Sequence, residues 1–347
     1  MLNEIMPIIM NTDFERLAVI DDYSSIIWTK RYYAIGDFEL CVPVDQVNTS
    51  IFQKHYYVVR DDDDDVGIIE DIKINKNADG EELMIITGRF LPSILGRRII
   101  SVQTNVSGTI DKCINTLINQ NVINPSDVTR KISNFVLGTY SFDITLEAQY
   151  TGDNLLTVIE DLCETYGLGF KVTLNAENQF VFQLYEGTDH TYDQSVNPWV
   201  VFSDQYDNLV SSEYEENYKD MVTAVLVAGE GEGLNRRTEW ITDGATGINR
   251  FELYKDQRDL QSNDGEISDA QYEAMLQEVG KTLLTTYTQG FTGDAYFDAD
   301  HNKDVHIGDL VVIENTKWNV HVNSRIVELI ESVSESGEHT YIPTFGA

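Results

Sequence analysis

The sequence predicts a β-rich α+β fold: two similar small β-barrels near the ends of the chain and a mixed helix/strand domain between them. Three observations carry this. The first hundred residues are β-branched and aromatic runs split by short polar turns, amphipathic helical stripes begin only after them, and strand-like runs return at the end with motifs that echo the beginning.

The elements follow in order. Strands are expected at Ala18–Asp21, Ser25–Tyr33, Asp37–Pro43, Tyr56–Arg60, Val66–Ile74 and Leu83–Phe90, with Asn77-Ala78-Asp79-Gly80 as the turn before the last. Regularly spaced short strands of this kind build small barrels or sandwiches. Ser107 is placed to cap a helix whose apolar positions Ile110, Cys113, Ile114, Leu117 and Ile118 share one face. Asp153 is expected to cap a second helix, striped by Leu155, Leu156, Ile159, Leu162, Cys163 and Tyr166; Gly167 and Gly169 stop it, because the left-handed position after a helix favours glycine. Phe170–Leu174 and Gln179–Tyr185 read as a hairpin. Ser268 with Gln271 forms a capping box that opens a third helix, with Tyr272, Met275, Leu276, Val279, Leu283 and Leu284 on one face. Further strands are expected at Met221–Ala228, Asp309–Glu314, Trp318–Val322, Ser324–Val333 and His339–Pro343.

Charge excludes several function classes. The 347 residues carry 58 Asp plus Glu against 24 Lys plus Arg, a net charge of −34. Proteins that grip nucleic acid neutralise phosphates with cations, so direct sequence-specific nucleic-acid binding is not expected, and anionic membrane surfaces are disfavoured likewise. No apolar run is long enough to span a bilayer, so no membrane insertion is expected. Met1–Met10 contains Asn3 and Glu4 and has neither a basic region nor a cleavage site, so no signal peptide is expected and the product stays in the cytosol or leaves by lysis. Cys41, Cys113 and Cys163 are widely spaced, which argues against a disulfide framework or a zinc site; Cys113 and Cys163 read as buried thiols.

The chemistry-bearing motifs are weak. Asp61–Asp65 cannot converge on one ion, because neighbours in an extended chain point alternately; a solvated loop is favoured. Asp298, Asp300, Asn302, Asp304 and Asp309 echo a calcium loop, but Lys303 stands where glycine should and Asp309 replaces the bidentate Glu, so an acidic turn is favoured. Gly229-Glu230-Gly231-Glu232-Gly233 would repel phosphate and reads as a mobile turn after a buried strand. Arg236 and Arg237 suit either acids at a subunit contact or solvent. The histidines His55, His190, His301, His306, His321 and His339 form no His-Glu-x-x-His, and no Gly-x-Ser-x-Gly occurs. No catalytic, cofactor-binding or metal-ligating residue is assigned, and an enzyme is not expected. Trp28, Tyr32, Tyr33, Tyr56, Tyr57, Trp199 and Trp318 serve either interfaces or cores, with core favoured for Trp28 and Trp318.

The ends of the chain echo each other. Ile35-Gly36-Asp37-Phe38 matches Ile307-Gly308-Asp309-Leu310, and Ile69-Glu70-Asp71-Ile72 matches Val327-Glu328-Leu329-Ile330. Thr87 lies 17 residues after Glu70, and Thr344 lies 16 after Glu328.

Asp21-Asp22-Tyr23, Ile27-Trp28, Arg31-Tyr32-Tyr33 and Gly36-Asp37-Phe38-Glu39-Leu40 resemble the opening of a family of siphophage and prophage tail proteins. Val227-Ala228-Gly229 with Arg236-Arg237, Ile307-Gly308-Asp309, Arg325-Ile326-Val327-Glu328 and Pro343-Thr344-Phe345-Gly346 are similar in the same order. This is the baseplate hub family, similar also to the hub of contractile tails and the hub half of type VI secretion spike proteins.

The resemblance implies a hub-like fold and a homotrimer. Each subunit's two barrels would build a pseudo-six-fold ring between the tail tube or distal tail protein and a three-fold spike or central fibre, with the tape measure protein as a further partner. It also implies an interrupted second barrel. That gives residues 1–100 as first barrel, 101–205 as mixed domain, 206–233 as first strands of the second barrel, 234–289 as mixed domain again, and 290–347 as the remaining strands. The implied role is structural, at the tail tip of a virion or bacteriocin-like particle. Glycan hydrolase and carbohydrate-binding receptor module are the alternatives; among 58 acids, the mere presence of paired carboxylates carries no information.

Overall fold

Strand-forming segments from both ends of the chain join one sheet, and the helices pack against it or in a smaller unit beside it. The computed structural model describes residues 5–346 apart from 77–79, 81, 207, 210–212, 286–287, 293–304 and 335, and excludes the side chains of 264 and 288–292. The first hundred residues form β1 (Ile8–Met10), β2 (Arg16–Val19), β3 (Ser25–Arg31), β4 (Asp37–Pro43), the single turn α1 (Asn48–Ile51), β5 (Tyr57–Arg60), β6 (Asp63–Lys76) and β7 (Glu82–Phe90). A mixed region follows with β8 (Thr104–Thr109), α2 (Ile110–Ile118), β9 (Phe135–Leu137), β10 (Thr145–Tyr150), α3 (Leu155–Tyr166), β11 (Gly169–Leu174) and β12 (Phe180–Tyr185). The rest forms β13 (Val201–Ser203), β14 (Glu213–Asn217), β15 (Ala224–Ala228), β16 (Thr238–Thr242), β17 (Glu252–Asp256), α4 (Asp269–Lys281), β18 (Thr288–Thr292), β19 (Leu310–Asn315), β20 (Val320–Val333) and β21 (His339–Gly346).

Thirteen of these strands make one sheet in the order β14-β18-β21-β20-β3-β4-β7-β6-β5-β1-β2, with β19 on β20 and β13 on β19. The expected pair of closed barrels is therefore corrected: among the described residues the two halves run as one open sheet. The expected strands 318–322 and 324–333 are a single long β20, because the turn residues before Val320 end at Asn319, whose φ is 53°.

The internal repeat is visible in the pairing. In chain order and in space, β3-β4-β7-β6-β5 corresponds to β14-β18-β21-β20-β19, every adjacent pair antiparallel. Each half carries the same bulge. In the first, Ile69 faces Gly88 and the next pair is Asp71 with Thr87; in the second, Ile326 faces Phe345 and the next pair is Glu328 with Thr344. The backbone entry is also the same. The His55 amide donates to Ile69 O at 2.8 Å and Ile69 N donates to Tyr56 O; the Gly308 amide donates to Ile326 O at 2.8 Å and Ile326 N donates to Asp309 O.

These registers correct the motif alignment. The counterpart of Glu328 is Asp71 rather than Glu70, and the counterpart of Gly308 is His55 rather than Gly36. Ladder hydrogen bonds define equivalence, and the shared Gly-Asp dipeptide was coincidental. The second repeat is interrupted after β14. Met221–Ala228 does not open it: Ala224–Ala228 is the middle strand of a separate sheet ordered β16-β15-β17.

Among the described residues four apolar cores result. Trp28, Phe38, Leu40 and Ile86 fill one side of the first half, and Phe202, Val311, Ile313 and Phe345 fill the second. The expected faces of α2 and α3 pack with Ile8, Val59 and Ile68 from the other side of the first half. The α4 face packs on Val225 and Val227 of the small sheet. Each fully buried large apolar side chain contributes about 1.5–3 kcal/mol.

Local signals fared unevenly. The capping box of Ser268 and Gln271 is present, and Gly167 ends α3 at φ 69°, while Gly169 lies in β11. Asn154, not Asp153, caps α3, accepting from Leu156 N at 3.0 Å and Thr157 N at 3.4 Å. Ser107 lies within β8, where its hydroxyl meets Glu147, and α2 starts after Thr109 with no side-chain cap. Trp28 is fully buried as expected, but Trp318 sits in the β19–β20 turn and is 47% exposed. Residues Asn77 to Asp79 of the expected turn and Asp298 to Asp304 of the calcium-like run lie outside the described residues.

The repeat makes a paired prediction. Gly308 holds φ 94°, and a Cβ there would lie 2.2 Å from the buried Tyr32 ring, so Gly308→Ala should cost about 2–4 kcal/mol. His55 holds φ 71° with an exposed side chain, so His55→Gly should be neutral or stabilise by up to about 1 kcal/mol. Thermal melts of both variants check this; equal losses would undo the equivalence.

Candidate functional site at the seam between the sheet halves

The site that the fold builds with most care is the junction of β3 with β20, where the two repeats meet. Edge strands present unpaired N–H and C=O groups, and this pairing satisfies both at once. Arg31 faces Glu328, Thr29 faces Ile330 and Trp28 faces Glu331 across the antiparallel seam. On one face Arg31 binds Glu328 at 2.7 Å and Asp37 at 2.5 Å.

The other face carries a buried charge. The Arg60 side chain, 2% exposed, reaches under the seam to Glu331 at 2.5 Å and to Asp62 at 2.7 Å, and stacks over the Trp28 ring at 5.3 Å. The second Glu331 oxygen accepts from Tyr341 Oη at 2.6 Å and lies 2.9 Å from His339 Nε2. Burial pushes the Glu331 carboxyl up, but Arg60, Tyr341 and His339 together outweigh it and hold it below the usual carboxylate range. The hydrogen bond from Arg60 likewise lowers Asp62. Burial and the Glu331 carboxylate both raise the Tyr341 phenol.

A second clamp ties the mixed region to the seam. The buried Tyr32 hydroxyl lies 3.1 Å from Gly167 O and 3.3 Å from Tyr185 O, and accepts from Gly187 N at 3.1 Å. Arg325 covers the Tyr32 ring at 5.0 Å and donates to Gly308 O at 2.5 Å. Asp309 is a turn-capping residue: it accepts from Thr188 N at 2.6 Å and His306 N at 2.7 Å, with His190 Nε2 at 3.5 Å.

Beside the seam is a cleft of about 580 Å³, lined in part by Lys30, Asp61–Asp65, Lys171 and Tyr185. The expected solvated acidic loop holds for Asp61, Asp62 and Asp64, which stay exposed, and is corrected for Asp63 and Asp65, whose side chains are largely buried. The run turns and enters β6, and every acid faces a cation: Asp61 with Arg16, Asp62 with Arg60, Asp63 and Asp65 with Lys30, and Asp64 with Lys171. Alternation along the strand puts Asp63 and Asp65 on one side and Asp64 on the other, which is why no single ion could collect them. Burial pushes Asp65 up; burial also opposes charge on Lys30, but Asp63 and Asp65 overcome it. Among the described residues no group of His, Cys, Asp and Glu is arranged to hold a metal.

The remaining candidates are tied within the chain. Arg236 binds Asp256 and donates to Ala228 O at 2.7 Å; Arg237 binds Asp269 at 3.1 Å and Glu230 at 3.5 Å, over the Tyr272 ring at 4.0 Å. Both therefore make ion pairs within the chain. The expected mobile turn 229–233 is anchored, since Glu230 also accepts from Ser262 N at 2.9 Å. Tyr32 is buried, Tyr33, Tyr56 and Tyr57 are half-buried, and Trp199 is exposed. Cys41, Cys113 and Cys163 are buried and none is in a disulfide. Among the described residues no helix is long and apolar enough to cross a membrane. Sequence reasoning missed Arg60, Glu331, His339 and Tyr341 as a group, because they converge only through strand pairing; isolated charges inside strand-like runs were the available signal.

The family model of the siphovirus ReqiPepy6 Gp37-like protein matches residues 6–347. In fold the chain is similar to the prophage tail protein gp18 from Listeria monocytogenes EGD-e, with TM-score 0.59 and 12% identity over 98% of this chain and 94% of that one. It is similar to the tail protein from Neisseria meningitidis MC58, with TM-score 0.60 and 12% identity over 99% and 96%. It is also similar to a chain of the Francisella PdpA-VgrG complex, with TM-score 0.52 and 10% identity over 99% of this chain and 58% of that one. No functionally curated protein matches it.

The buried seam charge predicts an acid response. Glu331 has a folded-state pKa below its ordinary 4.5, so its contribution is present above that pH and is lost as pH falls through the lower folded value. Glu331→Gln should cost about 3 kcal/mol or more at pH 7, by leaving Arg60 without that charge partner. Its melting temperature should also fall less steeply than the parent's between about pH 5 and 3. Calorimetry across that range measures both effects; parallel pH profiles would show that Glu331 is not the titrating group.

Proposed function

The chain belongs to the family of the siphovirus ReqiPepy6 Gp37-like protein, a family of phage tail proteins, and on that premise we propose that it is a structural hub at the distal end of a phage tail or tail-like particle. Three copies form a ring. One face of that ring meets the tail tube or distal tail protein, and the other receives a trimeric spike or central fibre. The action is mechanical, with no reaction catalysed: it matches a six-fold partner to a three-fold one.

The observation that carries this reading is the internal repeat. Two equivalent five-strand units per chain, with the same bulge and the same entry hydrogen bonds, make 3 × 2 = 6 units from three chains. Six similar edges can face a six-fold ring while the interrupted second unit preserves three-fold differences elsewhere. In this reading the first unit is residues 1–100, and the second is built from 201–217 and 288–346. The mixed region and the small sheet with α4 are carried on the outside. The fold shared with the prophage tail protein gp18 from Listeria monocytogenes, the tail protein from Neisseria meningitidis and the PdpA-VgrG chain supports the same role. The alternatives of hydrolase or receptor module find no support in the acidic run, whose carboxylates are all engaged by cations.

Light scattering on the purified chain should give 3 × 39.4 = 118 kDa, either alone or on adding the cognate tube protein. Each subunit carries −34, so screening should favour assembly, and the trimer fraction should rise between about 20 and 300 mM salt. A chain that stays monomeric in both settings is not a ring-forming hub.

A further inference from the structure

We propose that two unpaired strand edges of this chain, the distal half of β6 and the outer side of β14, pair with each other between neighbouring copies in a register set by the β3–β20 seam. This rests on the ring reading and adds to it the residues that close the ring.

Both edges are open among the described residues. β6 pairs with β7 along Gly67–Lys76, but on its other side β5 covers only Asp63–Ile68, so Asp71–Lys76 has a bare edge. β14 pairs with β18 and with no other strand. In the second repeat the corresponding edge of β20 is filled: β19 covers its first part and β3 the rest. Since β6 corresponds to β20 and β3 corresponds to β14, the strand missing from β6 is a β14, and this chain's own β14 lies at the far end of its sheet. A second copy supplies it.

The repeat also fixes which residues meet. Glu328 corresponds to Asp71 by the bulge. Trp28 corresponds to Tyr214, because Trp28 faces Phe38, which faces Gly88, whereas Tyr214 faces Phe291, which faces Phe345. Transferring the seam register then sets Asp71 against Asn217, Lys73 against Glu215 and Ile74 against Tyr214 of the neighbour. The chemistry agrees with this transfer. Neither Lys73 nor Glu215 has an ion-pair partner among the described residues, and opposite charges directly across a ladder stabilise it. Ile74 is 54% exposed, large for an isoleucine inside a strand, and would be covered by Tyr214, which packs on the second core. The contact is head-to-tail, so it propagates around a ring and closes after three chains.

The test is cysteine cross-linking in the full chain. Opposed residues of an antiparallel pair have Cα atoms about 4.5–5.5 Å apart, within disulfide range. The Lys73→Cys/Glu215→Cys variant should form a covalent series ending at the trimer under mild oxidation. The shifted pair Lys73→Cys/Glu213→Cys should give at least fivefold less. Independently of any cysteine, Glu215→Lys should weaken association at least tenfold and Lys73→Glu/Glu215→Lys should restore it. Trimers by light scattering with no in-register cross-link, or without rescue by the charge swap, would overturn the edge pairing and leave the hub reading standing. A monomer even with tube protein present removes both, and cross-linking that stops at dimers overturns the closed ring.

Discussion

The molecule depends on the pairing of β3 with β20. Without it the large sheet would divide in two, each part exposing an unsatisfied edge. With it, the ladder is continuous from β14 to β2, and the mixed region is clamped onto the junction through Tyr32. The seam is also where burial and charge conflict most. A guanidinium with almost no exposure stands under the sheet, and its desolvation must be offset by Glu331 and Asp62, whose remaining oxygens need donors in turn. Tyr341 and His339 from β21 supply donors for Glu331, so one strand pairing commits residues from β3, β5, β20 and β21 to a single arrangement. A charge network of this kind contributes more to register than to net stability. A shift of β20 by one residue along β3 would turn Glu331 to the other face and strand Arg60.

Duplication explains why the same constraint recurs. The two halves share hydrogen-bond pattern, bulge and strand order while sharing few residue identities, because backbone geometry tolerates any side chain that suits the local environment. His55 and Gly308 show the limit of that tolerance. Both sit in the left-handed region, but the Tyr32 ring lies against Gly308 and excludes a Cβ there, while the His55 side chain faces solvent and can be kept. The seam and the bare β6 edge are likewise the same position in two copies of one unit, one filled within the chain and the other open.

Much of this fold was legible in the sequence. Helix faces followed from 3–4 spacing, the strands that were expected lay mostly within a few residues of their bounds while short ones such as β1, β9 and β13 were not foreseen, and the Ser268 capping box was unambiguous because its two partners are three residues apart. The failures were partly local and partly non-local. The Asp153 assignment missed by one residue because Asp and Asn both favour the cap, and only the helix start decides between them. Motif identity misaligned the repeat because ladder register is set by the strand pairing and its bulge rather than by matching residue types. Met221–Ala228 has a strong strand pattern, but pattern alone does not say which sheet a strand enters. Trp318 looked like a core residue by type, yet a turn position overrode its hydrophobicity. The seam cluster was illegible for the same reason: its members lie at 28, 60, 62, 331, 339 and 341.

The excess of acid constrains how such a chain can assemble. Its 24 cations face 58 acids, and many of the cations, including Arg16, Lys30, Arg31, Arg60, Arg89 and Arg236, are already engaged inside the chain. Little positive charge is left to draw one copy toward another, and three copies in the proposed ring would bring 3 × −34 = −102 into one particle. Association in that ring would therefore come from interactions that do not depend on net charge. Backbone ladder bonds are directional and indifferent to it, and apolar contacts such as an exposed Ile74 add area without adding charge. An unengaged lysine on a bare strand edge then weighs more than its single charge suggests, since against a uniformly acidic background it marks the one register in which an approaching acidic strand is attracted rather than repelled.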